Sequence, residues 1–251
     1  MNKPPICVEA CVTTVTSALA AQAGGAQRVE LCDNLHDGGT TPGPGSIAMA
    51  RKYLEIKLHV IVRPRGGDFL YSDLEFEIMK DEVKRCRDEG VDGAVFGILR
   101  ADGSVDLDRN AQLVDLAGGM STTFHRAFDM TADARKALGD LKQLGIERVL
   151  TSGQKPSAPA GAALIADLVR AAQDEIIILP GAGITPENAA QLVRETGARE
   201  IHAHASVPMP SAMQYVNPHV FMGTNPELDE YAVLETTAAQ FRALCAAVED
   251  V

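Results

Sequence analysis

The sequence has few aromatic residues, no long apolar run and an excess of acidic over basic residues, and each of these features excludes a class of protein. Aromatic side chains make up 4% of the 251 residues and tryptophan is absent, so the core must be mainly aliphatic. No apolar run approaches the ~20 residues of a membrane-spanning helix, and the opening MNKPPICVEA does not have the pattern of a signal peptide. The 23 basic residues are outnumbered by 34 acidic ones, giving a net charge of −11. We therefore expect a protein that binds neither nucleic acid nor acidic membranes.

Several motifs of cofactor and disulfide chemistry are also missing. The five cysteines form no CxxC pair, and their odd number favours a reducing cytoplasm over secretion. No GxGxxG sequence follows the first predicted strand, which argues against a dinucleotide site. No lysine ends a predicted strand, which argues against Schiff-base aldolase chemistry.

What is present is a regular alternation of short apolar runs and longer helical patterns. The runs begin roughly 22 to 36 residues apart, which is the size of a βα unit. The predicted strands are 6–11, 28–32, 57–62, 93–97, 121–125, 148–150, 176–179 and 200–203. Ser72 and Glu75 predict a capping box at one helix start, and Thr185 followed by Pro186 predicts another.

This alternation predicts a parallel sheet in an α/β protein. No Pro- or Gly-rich linker divides the chain, so residues 1–251 are expected to form a single domain. Eight βα units in about 250 residues favour a closed (β/α)8 TIM barrel over an open doubly wound sheet. Functional groups should then collect where the strands end.

The first two strands end in the same Glu-x-Cys arrangement. Glu9 and Cys11 share one face of the first strand, and Glu30 and Cys32 share one face of the second. The other face of each strand is apolar and suits packing under helices. We therefore expect these four side chains to point into the barrel.

Buried carboxylates need partners, because an unpaired buried charge is costly. The expected partners are Arg63 and Arg65 after the third strand and His125 after the fifth. Such a cluster favours a site with shifted pKa values, although ion pairs that only tie strands together remain an alternative.

Seven stretches, taken together, resemble the CutC family. They are EAC at 9–11, RVELC at 28–32, GGTTP at 38–42, RPRGGD at 63–68, TFHRAFD at 123–129, LTSGQ at 150–154 and EIH at 200–202. The resemblance implies a cytoplasmic, homo-oligomeric TIM barrel (dimer or tetramer) named for copper homeostasis. It also implies a Cu(I) site at Cys11 and Cys32. It assigns no role to His204, which departs from the family pattern, or to the loop after Ser206.

The copper hypothesis is chemically reasonable. Cu(I) prefers thiolate ligands and is held by two of them, and neighbouring strands lie ~4.8 Å apart, close to the separation that two sulfurs on one ion require. The alternative is that Cys11 and Cys32 are small inert core residues, as we expect of Cys7, Cys86 and Cys245.

The remaining polar residues favour a second hypothesis, an enzyme of unknown substrate. It would do acid–base chemistry as an isomerase, lyase or hydrolase on a small oxygen-rich or phosphorylated molecule. Its catalytic candidates are Glu9, Glu30, Arg65, His125 and His202. Its substrate-binding candidates are Arg63, Asp68, Ser152, Gly181 and Gly183, the two glycines lying in a loop whose amides suit phosphate. A harder divalent metal on the carboxylates and histidines, and a purely structural or partner-binding barrel, remain further alternatives.

Overall fold

A computed structural model describes residues 5–222 and 229–251; the start of the segment judged not to be a signal peptide, residues 1–4, lies outside them. Eight parallel strands form its central sheet. They are β1 Cys7–Val12, β2 Arg28–Leu31, β3 Lys57–Ile61, β4 Gly93–Phe96, β5 Ser121–Phe124, β6 Arg148–Thr151, β7 Ile177–Pro180 and β8 Glu200–Ala203. Each predicted strand is confirmed to within one residue at both ends.

The strands follow one another in chain order around a nearly closed barrel. Each of β1 to β6 pairs with the next strand along the chain, and β8 pairs with β1. A single parallel bridge between Gly181 and His202 joins the ends of β7 and β8. The predicted (β/α)8 TIM barrel is confirmed.

Eight helices surround the sheet within the described ranges. They are α1 Val15–Ala23, α2 Pro44–Tyr53, α3 Asp73–Asp88, α4 Leu107–Ala117, α5 Ala134–Gln143, α6 Ala162–Ala172, α7 Pro186–Thr196 and α8 Ala238–Ala247. The predicted capping box of Ser72 and Glu75 opens α3, and Thr185 caps α7 with the help of Asn188. None of these helices is both long and apolar enough to cross a bilayer.

The main core lies between the sheet and these helices. The outward-facing residues Val8, Ala10, Val29 and Leu31 are at most 1% exposed and belong to this core. Because side chains alternate along a strand, their neighbours in β1 and β2 must face the barrel interior. The predicted orientation of the two Glu-x-Cys segments is therefore confirmed.

One element has no counterpart in the predicted pattern. After β8 the chain forms an antiparallel hairpin of β9 Val207–Pro210 and β10 Ala232–Glu235. The Val-Pro-Met-Pro sequence of β9 gives no alternation, and proline is tolerated in it because β9 is an edge strand. The hairpin stands outside the barrel sheet and is largely exposed.

Candidate functional site

The register of three strands brings the inward-facing polar residues together. Cys11 on β1 lies opposite Glu30 on β2, and Glu9 lies opposite His202 on β8. All four are buried. The barrel therefore holds a thiol, two carboxylates and an imidazole close together.

The thiols of Cys11 and Cys32 are in direct contact. Their sulfurs lie 3.4 Å apart and form a hydrogen bond, and the surrounding side chains include Ile61 and Val95. The bond from Cys32, helped by His202, holds the pKa of the Cys11 thiol well below its usual range. The same bond and burial raise the pKa of Cys32. One thiol of the pair therefore loses its proton readily while its neighbour keeps one.

His202 connects the two carboxylates. Its Nδ1 lies 2.7 Å from Glu9 Oε1, and its Nε2 lies 3.5 Å from Glu30 Oε2. Burial by itself would lower the pKa of His202, but Glu30, Cys11 and Glu9 outweigh it and hold that pKa well above its usual range. Burial raises the pKa of Glu30 to about 8, although His202 opposes the shift. Glu30 is therefore poised to exchange a proton near neutral pH.

The base of the barrel contains a compact network of opposite charges. Arg28 bonds to both Glu9 and Glu200, and Arg148 Nε lies 2.8 Å from Glu200 Oε2. Burial alone would raise the pKa of Glu9, but Arg28 and the nearby histidines lower it well below its usual range. Each acidic group here has a charged partner.

The predicted partners of the carboxylates were therefore wrong. Glu9 is neutralised by Arg28 and His202 instead of Arg63, Arg65 or His125. The signal was available in the sequence. Arg28 lies two residues before Glu30 on β2 and so shares its inward face.

His59 is a further buried group that sequence reasoning missed. It faces inward from β3, 3.7 Å from Glu9, and its ring occupies the space in front of Gly93. A Cβ on Gly93 would lie 2.5 Å from that ring. Burial lowers the pKa of His59 to about 4, so the ring is neutral in the folded protein.

Arg63 is buried, and none of the carboxylates in residues 5–222 and 229–251 pairs with it. Its two terminal nitrogens donate hydrogen bonds to the backbone carbonyls of Asp37, Gly39 and Gly67. Its guanidinium also lies over the Phe69 ring, 5.0 Å from the centroid. Arg63 thus fixes the loops after β2 and β3 to each other.

His125 lies on the same wall. Its Nδ1 accepts a hydrogen bond from the backbone N–H of Ala127 at 3.2 Å, and its ring packs against Phe69 at a tilt of 53°, with the centroids 4.9 Å apart. Gly97 makes room for the ring, because a Cβ there would lie 2.7 Å from Nδ1. Burial, reinforced by Arg63, lowers the pKa of His125 to about 3. The ring is therefore neutral in the folded protein.

A cavity of about 370 Å³ opens above the thiols at the carboxyl ends of the strands. The predicted site residues that line it are Cys11, Glu30, Cys32, Arg63, His125, Gly183 and His202. Lining residues that sequence reasoning missed include Leu35, Phe69, Arg126 and Ile184, which come from loops whose course no strand pattern predicts. His204 also lines the cavity, with its Nδ1 3.0 Å from the Cys11 carbonyl oxygen.

Five predicted site residues do not line this cavity. Glu9 lies beneath it in the charge network. Arg65 forms ion pairs with Asp68 and Glu75, and the Asp68 side chain is 71% exposed.

The remaining two of these five residues are Ser152 and Gly181. The Ser152 hydroxyl is 2.5 Å from the Lys155 carbonyl oxygen, to which it donates, and 3.0 Å from Asp129. Gly181 packs against His202, where a Cβ would lie 3.2 Å from the ring.

Two overlapping sets of side chains have ligand atoms close enough to share an ion. Cys11, Glu30 and Cys32 form one, and Glu9, Glu30 and His202 form the other, with ligand atoms within 4.8 Å of one another. The first set contains two soft sulfur donors and the second only oxygen and nitrogen. Cys7 lies four residues from Cys11 along an extended strand, a distance of about 13 Å, and cannot join the first set.

Fold and cavity together define a (β/α)8 barrel protein with a thiol-, carboxylate- and imidazole-lined mouth. The model of the CutC family matches residues 6–207. A family protein CutC of Chromobacterium violaceum is 52% identical over 242 residues, covering 96% of this chain and 98% of that one. The mouse copper homeostasis protein cutC homolog is 43% identical over 244 residues, covering 97% and 90%. The chain belongs to the CutC family.

Solved structures agree on the fold. A Streptococcus agalactiae protein bearing the name CutC has a TM-score of 0.76 and 36% identity, covering 78% of this chain and 97% of that one. Phosphoribosyl anthranilate isomerase of Thermococcus kodakaraensis has a TM-score of 0.61 at 13% identity, covering 98% and 100%. The second likeness concerns the barrel alone.

Proposed function

We propose that this protein binds Cu(I) through Cys11 and Cys32 and serves copper homeostasis, as the names of its relatives indicate. One observation carries the proposal: two buried thiols lie 3.4 Å apart at the floor of a cavity. Copper is here the cargo that the protein handles.

The donor set suits a soft ion. Thiolates are preferred ligands of Cu(I), and the lowered pKa of Cys11 favours the thiolate that a metal needs. Ile61 and Val95 pack against the sulfurs and give the pair an apolar side. The other thiols differ, because burial raises the pKa of Cys7 to about 11 and that of Cys86 to about 12.

The test is an anaerobic Cu(I) competition titration of the reduced protein beside the Cys11→Ser, Cys32→Ser double variant. We expect the wild type to bind one equivalent with a Kd near or below about 1 pM, about −16 kcal/mol, and the double variant to lose that binding. Cys86→Ser is the matched control, since it removes one buried thiol of α3. Equal binding by wild type and double variant would contradict the proposal.

A second candidate function is acid–base catalysis on a small oxygen-rich or phosphorylated molecule. The Glu30–His202 pair favours it, because a carboxyl with a pKa of about 8 lines the cavity beside a protonated imidazole. In this hypothesis Glu30 exchanges the substrate proton, and Glu9 holds His202 in place.

Single substitutions separate the two functions. Glu30→Gln and His202→Asn should abolish catalysis, whereas the copper site should depend mainly on the sulfurs. Arg65→Ala should leave Cu(I) binding unchanged, because Arg65 is committed to Glu75 and Asp68.

The cytoplasmic location and the homo-oligomeric state stay predictions. A reducing compartment would keep Cys11 and Cys32 as thiols. Light scattering of the purified chain distinguishes a dimer or tetramer from a monomer.

A further inference from the structure

The cavity wall formed by Arg63, Phe69 and His125 presents two donors that no described residue accepts. Arg63 Nε and His125 Nε2 are buried without a hydrogen-bond partner, in side chains that are 4% and 3% exposed. Because Nδ1 of His125 accepts the Ala127 N–H, the proton of the neutral ring lies on Nε2. Leaving such donors unpaired is costly, and a ligand in the cavity would remove that cost.

The charge of Arg63 is also uncompensated. Its partners are neutral groups, namely three backbone carbonyls and the Tyr71 hydroxyl, and no described carboxylate lies within ion-pair distance of it. Arg126, the other arginine lining the cavity, differs because its Nε lies 2.8 Å from Asp129. A buried cation without a counter-charge favours an anionic ligand.

The amino end of α7 is a third feature of the cavity that favours an anion. Residues 182–185, which lead into α7, line the cavity. The amino end of an 11-residue helix therefore opens onto it, with the positive end of the helix dipole. The acidic side chain in the lining, Glu30, is already paired with His202.

We propose that Arg63 and His125 bind the oxyanionic group, a phosphate or a carboxylate, of a small organic molecule. The cavity of about 370 Å³ is at the lower end of the usual range for such ligands. Both side chains contact the Phe69 ring, which holds them on one wall, and the molecule extends from there toward the thiols and Glu30. This site is separate from the proposed Cu(I) ligands.

The test is calorimetric titration of the copper-free, reduced full chain with inorganic phosphate and, separately, with glycolate. We expect at least one anion to bind, and its identity decides between phosphate and carboxylate. His125→Leu removes the Nε2 donor and should weaken that anion about tenfold or more. Arg63→Lys keeps the charge but loses Nε, and should also weaken it.

One variant serves as a matched control. Arg126→Met removes a neighbouring guanidinium that is already paired with Asp129. It should change the Kd less than about threefold, well under 1 kcal/mol.

The proposal fails if both anions bind more weakly than about 10 mM, or if Arg126→Met weakens binding as much as His125→Leu does. The Cys11→Ser, Cys32→Ser variant keeps this result distinct from the copper experiment. Its anion affinity should equal that of the wild type, and loss of anion binding there would overturn the assignment to the Arg63 wall.

Discussion

The base and the mouth of the barrel contain similar residues in opposite electrostatic conditions. At the base, Arg28 and Arg148 face Glu9 and Glu200, and each charge has a partner of the opposite sign. At the mouth, the described partners of Arg63 are all neutral groups. The comparison shows that buried charge by itself does not mark a site. Donors and charges that remain unpaired in a cavity do.

The largest effect should follow from breaking the base network. Arg28→Met leaves Glu9 and Glu200 short of a counter-charge, and we expect the free energy of unfolding to fall by about 3–5 kcal/mol. Urea unfolding measures it. Arg126→Met is the control. The Arg126 side chain is 44% exposed, so its ion pair with Asp129 should contribute less than about 1 kcal/mol to the free energy of unfolding. Equal losses would abolish the distinction between base and mouth.

A smaller effect concerns pH. The pKa of His59 is about 4 in the folded protein, whereas an unfolded histidine has about 6.5. Between these values the unfolded chain binds a proton that the folded chain does not, so stability falls as pH drops from 6.5 to 4.

Removing this group should flatten the profile. In His59→Gln, we expect the slope of unfolding free energy against pH near 5 to decrease by up to about 1.4 kcal/mol per pH unit. Unfolding curves at closely spaced pH values measure the slope. An unchanged slope would mean that His59 is protonated in the fold.

The reactivity of two thiols also distinguishes the mouth of the barrel from its base. Cys11 lines the cavity with a lowered pKa, whereas Cys7 near the base has one raised to about 11. Iodoacetamide should therefore modify Cys11 at least about tenfold faster than Cys7 at neutral pH. Peptide mass spectrometry over time gives both rates. Preferential labelling of Cys7 would contradict the assigned pKa order.

The smallest effect is expected at Arg65. Its side chain is 37% exposed and bonds to Glu75 and Asp68 outside the cavity. Arg65→Ala should cost about 1 kcal/mol or less in unfolding free energy and leave anion binding unchanged. If the anion affinity of Arg65→Ala fell as far as that of His125→Leu, the anion site would have to include Arg65 as well as the wall formed by Arg63, Phe69 and His125.

Much of this molecule follows from the sequence pattern. All eight barrel strands and the inward direction of Cys11 and Cys32 could be predicted, because alternation along a strand fixes which side chains share a face. The pairing of charges could not. Arg63 and Arg28 are chemically alike, and only the stagger between strands places Arg28 beside Glu9.

The loop residues that line the cavity could not be predicted from the sequence either. Phe69 and Ile184 enter the cavity from segments without periodicity. The neutrality of His125 depends on its burial and on Arg63, neither of which the sequence reveals at that position.

Two glycines, one at the start of β4 and one directly after its end, have a consequence for variation in this chain. Gly93 leaves room for the ring of His59 on β3, and Gly97 leaves room for the ring of His125, which directly follows β5. Each glycine and its histidine therefore form a volume-matched pair. A side chain gained at 93 or 97 is compatible with the barrel only if the partner position shrinks, so these positions should change together or not at all.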